Sequence, residues 1–214
     1  MLVDLYAQPV DGIRLWKVVE WGERAAALAL FVALCPIMLV AGIIVLLLSR
    51  KTPLVAHQRA GQYGNPFWVL KLRTMWPGTS QGTDGLVERV IENPVKLKTS
   101  ADPRVTSRFA RFCRRFSIDE LPQLINVIRG EMAFVGPRPV TREEMLKYYA
   151  RHAPEVLAAK PGITGLWQVN GRSRLSYSAR RRLDIMLVKN RSVRLYVEIL
   201  LRTVPAVLCG RDAW

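Results

Sequence analysis

A long uncharged run near the start of the chain constrains the fold more than any other feature. No charged side chain occurs from Ala25 to Leu48, and this run is longer than the roughly 20 residues that an α-helix needs to cross a bilayer. It begins too late for a secretory signal, and Arg50 and Lys51 follow it where a cleaved signal would have small residues. The run therefore predicts a retained membrane anchor.

The shape of the anchor depends on Pro36, which lies at its middle. Proline lacks the N–H that would bond back to Val32, and its ring crowds the preceding turn, so a kink or break is expected. Each half is then too short to cross a bilayer at about 1.5 Å per residue. The flanks do not decide the orientation, because they are equally basic: Arg14, Lys17 and Arg24 precede the run, and Arg50, Lys51 and Arg59 follow it. These observations alone support a kinked spanning helix and a re-entrant hairpin equally.

The net charge indicates what kind of partner the chain binds. The 214 residues include 32 Lys and Arg against 17 Asp and Glu, which gives a net charge of +15. Such a surplus indicates an anionic partner: nucleic acid, phospholipid headgroups or a phosphorylated substrate. Two histidines and three separated cysteines do not provide a His-based zinc site, a serine-type triad or a disulfide framework. Walker A and GxGxxG motifs are absent, which argues against common ATP and dinucleotide enzymes.

The predicted fold class is α+β and mainly helical. Residues 1–24 form an amphipathic lead-in, residues 25–48 form the membrane segment, and residues 49–214 form a domain whose basic character favours the cytoplasmic face. Within that domain, residues 52–75 predict a small β-hairpin with its turn at Gly61–Pro66.

Two capping boxes predict helix starts further along the chain. Ser117–Glu120 precedes a short apolar helix from Leu121 to Ile128, which ends at Gly130. Thr141–Glu144 opens a second helix that extends to about Ala159.

The remaining segments are less regular. The glycines and prolines of residues 76–100 predict mostly loop. Residues 178–208 predict one or two basic amphipathic helices that lie at the membrane interface, interrupted near residues 190–192 and at Pro205.

Asp119 and Glu120 are the strongest candidates for chemistry. Successive helical residues point about 100° apart, so the two carboxylates can serve one site from two directions, one holding a metal while the other attacks. The free N–H groups of a helix start suit a phosphate and keep a carboxylate ionised, as a nucleophile must be. Acidic residues in a first helical turn are most often structural, so this hypothesis depends on the surroundings.

Those surroundings are rich in arginine, whose planar fork matches phosphate oxygens. Most of these arginines are expected to attract anionic headgroups, at roughly 1 kcal/mol each. Arg138 is the best candidate for substrate contact, because prolines on both sides fix its backbone. Trp167, Gln168 and Asn170 form a polar and aromatic loop that either contacts a nucleotide or sugar, or packs. The arginines are Arg104, Arg108, Arg111, Arg114, Arg115, Arg129 and Arg138.

Seven segments form a set that is far more specific than any one of them. They are Gln58–Gly64, Lys71–Met75, Asp102–Thr106, Ser117–Gln123, Asn126–Gly130, Val135–Pro139 and Lys160–Gln168. Together they resemble the bacterial sugar transferases, the monotopic phosphoglycosyl transferases that begin polysaccharide or glycan assembly. The similarity runs from about residue 20 to the C-terminus.

This resemblance implies transfer of a sugar-1-phosphate from a nucleotide diphosphate sugar, with a UDP-sugar as the expected donor, to polyprenyl (undecaprenyl) phosphate. It implies Mg²⁺ held by Glu120 and Asp119, a covalent phosphosugar on Asp119, and a catalytic role for Arg138. It implies exopolysaccharide or glycan synthesis at the cytoplasmic face of a bacterial inner membrane, without nucleic acid, and it leaves a homodimer open. The residues assigned to substrate binding are Arg59, Lys71, Arg73, Arg104, Arg114, Arg115, Gln123 and Gln168.

The sequence departs from the family pattern at three places. The family anchor is a re-entrant helix broken at Ser-Pro, and Cys35-Pro36 has that place here, which favours the hairpin. Glu23 stands near the membrane entry, where the family has Asp. Ala110 stands where the family has Gly, so roles for Arg108 and Arg111 are not carried over.

Two other functions fit part of the sequence. A non-catalytic, membrane-anchored basic module would bind anionic lipid or nucleic acid, but it would gain nothing from the carboxylates of Asp119 and Glu120 among its arginines. A lipid phosphatase would use water as the final acceptor, so analysis of the products separates it from a transferase.

Overall fold

The computed structural model describes residues 10–75, 83–84, 86–90, 105, 107–171 and 174–209. Its first element, α1 (Val10–Ser49), is one helix with Pro36 inside it. Among the described residues it is the one helix that is long and apolar enough to cross a membrane, which supports membrane association. No helix end falls at residue 24 or at Pro36, since a helix can continue past a proline after losing a backbone hydrogen bond. The re-entrant hairpin is not confirmed and stays a prediction.

One face of α1 lies against the rest of the protein over most of its length. Glu23, Ala27, Ala41 and Val45 are buried, and they recur at helical spacing on one face. Large apolar side chains on the other faces are exposed, and a contiguous apolar surface of this kind suits lipid contact. They are Leu28, Leu30, Val32, Ile37, Leu39, Val40, Ile43, Leu46, Leu47 and Leu48.

The predicted β-hairpin is confirmed. β1 (Leu54–Ala60) and β2 (Pro66–Leu72) pair antiparallel along their whole length. The N–H of Gly61 donates to the carbonyl of Asn65 at 2.8 Å and closes the turn. Gly64 has a φ of +80° there, a left-handed conformation that glycine adopts without a steric penalty.

The sheet continues in a segment for which the sequence predicts mostly loop. β4 (Val87–Val90) pairs parallel with β1, and β3 (Thr83–Asp84) pairs with β4, so the order is β2-β1-β4-β3. The inward-facing residue of β4 is Glu88, which is buried in an ion pair with Arg73. A strand whose buried residue is charged has no apolar alternation to detect, so the prediction of loop is wrong for β4. The rest of residues 76–100 lies outside the described part of the chain.

The acidic pair lies on a short turn between two helices. α2 (Arg108–Arg115), a 3-10 helix (Ile118–Gln123) and α3 (Leu124–Arg129) follow one another, and Gly130 ends α3 as predicted, with a φ of +77°. The capping box predicted at Ser117 is wrong. Ser117 has a φ of +56° and makes no side-chain cap, because N-capping requires an extended backbone.

A second sheet, of two strands, includes the segment that leads to Arg138. β5 (Ala133–Val135) and β6 (Gly162–Thr164) pair parallel. Immediately after β5, Gly136 approaches Gly162 so closely that a Cβ on Gly162 would lie 2.0 Å from the Gly136 nitrogen. Glycine is therefore required at this crossing.

The capping box predicted at Thr141 is confirmed, with both reciprocal hydrogen bonds present. The single helix predicted to reach Ala159 is wrong, because the segment is divided into four short pieces. Pro154 contributes to the division, since it lacks an N–H and favours the first turn of a helix. The pieces are α4 (Arg142–Glu144), a π-helical turn (Met145–Tyr149), a 3-10 turn (Ala150–His152) and α5 (Ala153–Leu157).

The last three helices are α6 (Leu166–Val169), α7 (Tyr177–Lys189) and α8 (Val193–Leu208). The interruption predicted near residues 190–192 is confirmed, whereas Pro205 does not end α8. The described fold is thus mainly helical with small sheets, as predicted.

Candidate active site

A buried amide fixes the turn that carries the acidic pair. Asn126, on α3, is fully buried. It accepts the N–H of Leu70 at 3.1 Å and donates to the carbonyl of Trp68 at 2.8 Å and to Glu131 at 2.7 Å. β2 is an edge strand, so these bonds satisfy backbone groups that would otherwise lack partners. They fix α3, and with it the acidic turn, beside β2.

The same strand brings Lys71 to the acidic pair. The Nζ atom of Lys71 lies 2.7 Å from Oε1 of Glu120, and the two side chains keep 25% and 34% of their surface exposed. A partly exposed ion pair of this kind contributes at most about 1 kcal/mol. A substrate phosphate can therefore recruit Lys71 at little cost.

Asp119 is almost buried, with 8% of its surface exposed. Burial, and then the neighbouring Glu120, raise the pKa of Asp119 to about 6, while Lys71 and Arg114 lower it. The carboxylate is thus ionised at neutral pH but poorly solvated. An oxygen in this state suits nucleophilic attack on a phosphorus atom.

The two carboxylates also fit a divalent cation. Mg²⁺ is usually held by one or two carboxylates, with water and substrate phosphate supplying its other oxygens. The repulsion between Asp119 and Glu120 is what such a cation relieves. Within the described ranges no three His, Cys, Asp or Glu side chains form a group that could hold a metal, so phosphate or water oxygens are needed as well.

Arg114 and Arg73 have different positions relative to this site. Arg114, on α2, is close enough to lower the pKa of Asp119. Arg73 is 5% exposed, and its guanidinium donates to the backbone and hydroxyl of Thr52 and pairs with Glu88. Arg73 therefore links the end of β2 to β4, and its Nε and Nη2 atoms are already engaged.

The remaining predicted arginines are Arg59 and Arg115, which the structure describes, and Arg104. The guanidinium of Arg115 lies over the ring of Phe116, 5.5 Å from its centroid. Arg59 is four residues along β1 from the position that pairs with Lys71, a separation of about 13 Å at 3.3 Å per residue. Arg104 lies outside the described residues.

Arg138 belongs to a second polar cluster. Its backbone N–H donates to Asp184 at 3.4 Å, and its guanidinium lies 4.8 Å from the ring centroid of Trp167. Asp184 is fully buried and accepts the hydroxyl of Tyr149 at 2.6 Å. In the part of the chain that the structure describes, no hydrogen bond or ion pair joins Arg138 to Asp119.

The two predicted glutamines are also in different places. Gln123 is 2% exposed at the end of the acidic turn. Gln168, on α6, donates to the carbonyl of Ile163 at 3.4 Å, and its buried Oε1 has no hydrogen-bond partner. An unsatisfied buried acceptor costs about 1–3 kcal/mol. Gln168 therefore stays a candidate for substrate binding, in which its Oε1 would accept a hydrogen bond.

The sequence motifs do not assign a role to four polar residues that support the two clusters. A signal exists for Asp184, which lies between Leu183 and Ile185 in an arginine-rich helix, since an acid among apolar neighbours is rarely buried without a partner. Asn126 lies in one of the seven family segments, Asn126–Gly130, without a role assigned to it, and no comparable signal marks the other two. The residues missed are Asn126, Tyr149, Arg180 and Asp184.

Known proteins resemble this chain over most of its length. The Erwinia amylovora UDP-galactose-lipid carrier transferase is 40% identical over 87% of the chain, which spans 39% of that relative. The exopolysaccharide production protein ExoY of Sinorhizobium fredii is 38% identical over 88% of the chain and 84% of that relative. The Caulobacter vibrioides UDP-glucose:undecaprenyl-phosphate glucose-1-phosphate transferase is 38% identical over 90% of the chain and 70% of that relative.

A family model agrees with these relatives. The description of that model is bacterial sugar transferase, and it matches residues 16–210, which include most of α1, the acidic turn and the Arg138 cluster. The chain therefore belongs to the bacterial sugar transferase family.

Proposed function

We propose that this chain transfers a sugar-1-phosphate from a UDP-sugar to undecaprenyl phosphate, as a first step in exopolysaccharide synthesis. The observation that carries the proposal is the environment of Asp119. Its carboxylate is nearly buried beside Glu120, with Lys71 and Arg114 as the cations that act on it. The names of the relatives support the donor and the acceptor.

The first step forms a phosphosugar on Asp119. A carboxylate oxygen attacks the phosphorus that bears the sugar, and the bond from that phosphorus to the nucleoside monophosphate breaks. Lys71 and Arg114 reduce the repulsion between the attacking carboxylate and the phosphate. Glu120 and Asp119 would hold Mg²⁺, which would neutralise charge on the departing phosphate.

The second step regenerates the carboxylate. A phosphate oxygen of undecaprenyl phosphate attacks the same phosphorus, and the bond to Asp119 breaks, which leaves a lipid diphosphate sugar. The exposed apolar faces of α1 support the membrane side of the proposal. They hold the domain at the surface where a lipid phosphate lies, which we assign to the cytoplasmic face of the inner membrane.

The test uses the full chain in detergent with UDP-galactose or UDP-glucose and Mg²⁺. Donor alone is expected to add the mass of one hexosyl phosphate to the protein and to release uridine monophosphate. Undecaprenyl phosphate then removes the added mass. Asp119→Asn is expected to abolish the added mass and the release of uridine monophosphate. Glu143→Gln, a matched change at an exposed carboxylate, is expected to abolish neither. Wild-type turnover by Asp119→Asn contradicts the covalent route.

A further inference from the structure

Two arginines lie against the same buried indole. The guanidinium of Arg138 is 4.8 Å from the ring centroid of Trp167, and that of Arg180 is 5.1 Å from it. Trp167 is only 6% exposed. Arg180 is also 5.4 Å from the ring of Tyr177. Cation–π contacts of this kind fix the orientation of both guanidinium groups.

The two guanidinium groups of this cluster act on each other. Burial, and then the charge of Arg138, lower the pKa of Arg180, while Tyr177, Tyr149 and Glu144 raise it. Asp184 is the fully buried carboxylate of the cluster, and burial raises its pKa to about 7, so it is partly protonated at neutral pH. Its oxygens already accept from Tyr149 and from the backbone of Arg138.

In the described part of the chain Arg138 makes no ion pair within 4 Å, and its guanidinium lies over the ring of Trp167. The indole N–H of Trp167 is buried and has no acceptor. The cluster thus presents cations and donors that are held in place before any ligand arrives. Preorganised guanidinium groups that repel each other favour an anion with several oxygens.

The two contacts with one ring keep the guanidinium carbons within about 10 Å of each other. The two phosphates of one diphosphate can meet both groups anywhere within that limit. The planar guanidinium group of an arginine also binds phosphate through two parallel hydrogen bonds, which the ammonium group of lysine cannot do.

We propose that Arg138 and Arg180, held against Trp167, form a diphosphate clamp for the nucleotide sugar, in which Arg180 is a specificity-determining residue. The identity of the ligand rests on the proposed function. The clamp holds the nucleotide end of the donor, while the acidic turn receives the phosphosugar.

The test measures equilibrium binding to the full chain in detergent, in an Asp119→Asn background that prevents turnover. Titration calorimetry with uridine diphosphate, pyrophosphate and uridine gives the three affinities. Arg180→Gln is expected to weaken binding of the two diphosphates by 10-fold or more, since charge-assisted hydrogen bonds contribute about 1.5–3 kcal/mol, and to leave uridine unaffected. Arg180→Lys is expected to recover only part of the loss.

Arg182→Gln is the matched control, because Arg182 is an exposed arginine on the same helix. An unchanged diphosphate affinity in Arg180→Gln overturns the clamp, as does an equal loss in Arg182→Gln. Thermal melts of each variant separate lost binding from lost folding.

In the active protein, Arg180→Gln is expected to raise KM for the UDP-sugar and to leave KM for undecaprenyl phosphate unchanged. If only KM for undecaprenyl phosphate rises, the clamp is overturned and the cluster is assigned to the lipid phosphate. Diphosphate binding that depends on Arg180 in a protein without transferase activity supports the clamp and contradicts the proposed function.

Discussion

At the scale of single residues, the proposed mechanism depends on how Asp119 is charged. Its pKa is raised to about 6 because burial and Glu120 outweigh Lys71 and Arg114. A protonated carboxyl group is a poor nucleophile. The proposed activity therefore depends on a balance that a single nearby cation can shift.

We expect kcat/KM to fall about tenfold per pH unit below pH 6. Removing the positive charge of Lys71 raises the pKa of Asp119, so Lys71→Gln moves this acid limb to higher pH. The measurement is the pH profile of uridine monophosphate release. Lys147→Gln, at an exposed lysine, is the control and leaves the limb in place. A limb that stays unchanged in Lys71→Gln shows that Asp119 does not set it.

Asp184 makes the stability of the fold depend on pH. Its pKa in the folded protein is raised to about 7, chiefly by burial, although Tyr149, Arg138 and Arg180 lower it. An unfolded aspartate has a pKa near 3.9. The folded state therefore holds a proton that the unfolded state has lost between about pH 4 and pH 7, and its stability falls as the pH rises through this window.

Asp184→Asn is expected to reduce that dependence on pH. The amide keeps an acceptor for the Arg138 N–H and offers a donor to the Tyr149 oxygen. Thermal unfolding in detergent at pH 5, 6 and 7.5 measures the effect. The wild-type midpoint should fall relative to the variant as the pH increases, and parallel curves would contradict the assignment.

At the scale of elements, the two sheets differ in how far the sequence predicts them. The hairpin of β1 and β2 follows from two apolar runs around Gly61 and Gly64. β4 could not be predicted, because its buried residue is Glu88, whose burial depends on Arg73 from another strand. A local pattern does not contain a partner that is distant in the chain.

The acidic site, like the sheets, is predicted only in part by the sequence. The composition of the turn identifies Asp119 and Glu120, and the family motifs select Arg138 and Lys71. The positions of these residues depend on Asn126 and Asp184, which bond to backbone groups far away in the chain. Tertiary hydrogen bonds of this kind leave no periodicity in the sequence, so the two-cluster arrangement was not predicted.

The crossing of β5 and β6 permits a sharp test. Gly162→Ala places a methyl group 2.0 Å from the Gly136 nitrogen, so we expect a loss of about 3 kcal/mol or more in the free energy of unfolding. Gly22→Ala is the control, since a Cβ there meets nothing within 4 Å and alanine stabilises a helix by about 0.5–1 kcal/mol. The midpoint of thermal unfolding should fall in the first variant and not in the second.

At the scale of the whole molecule, α1 contributes to the core of the catalytic domain as well as to the membrane surface. Ala27 is completely buried and packs, with Phe31 and Leu34 nearby, against the cluster that includes Phe67, Val127 and other residues. Glu23 accepts hydrogen bonds at 2.6 Å from the backbone N–H of Phe134 and the hydroxyl of Tyr196. A helix attached only at its end would make neither set of contacts.

We therefore expect residues 50–214 expressed without α1 to aggregate. Removing α1 exposes the apolar cluster, which remains covered in the full chain. Size-exclusion chromatography and thermal melts make the comparison. As a control, Leu39→Ser with Leu47→Ser in the full chain changes only exposed positions, so it should keep the fold while weakening vesicle binding. A monodisperse, cooperatively unfolding 50–214 fragment would contradict this expectation.

The long contact of α1 with the domain has a mechanical consequence. A hydrophobic helix tilts to match the thickness of the surrounding bilayer. Because the buried face of α1 is joined to the domain from Glu23 to Val45, the domain must tilt with the helix as one rigid body. In the proposed reaction, lipid chain length would thereby change the angle at which the Asp119 carboxylate meets the lipid phosphate.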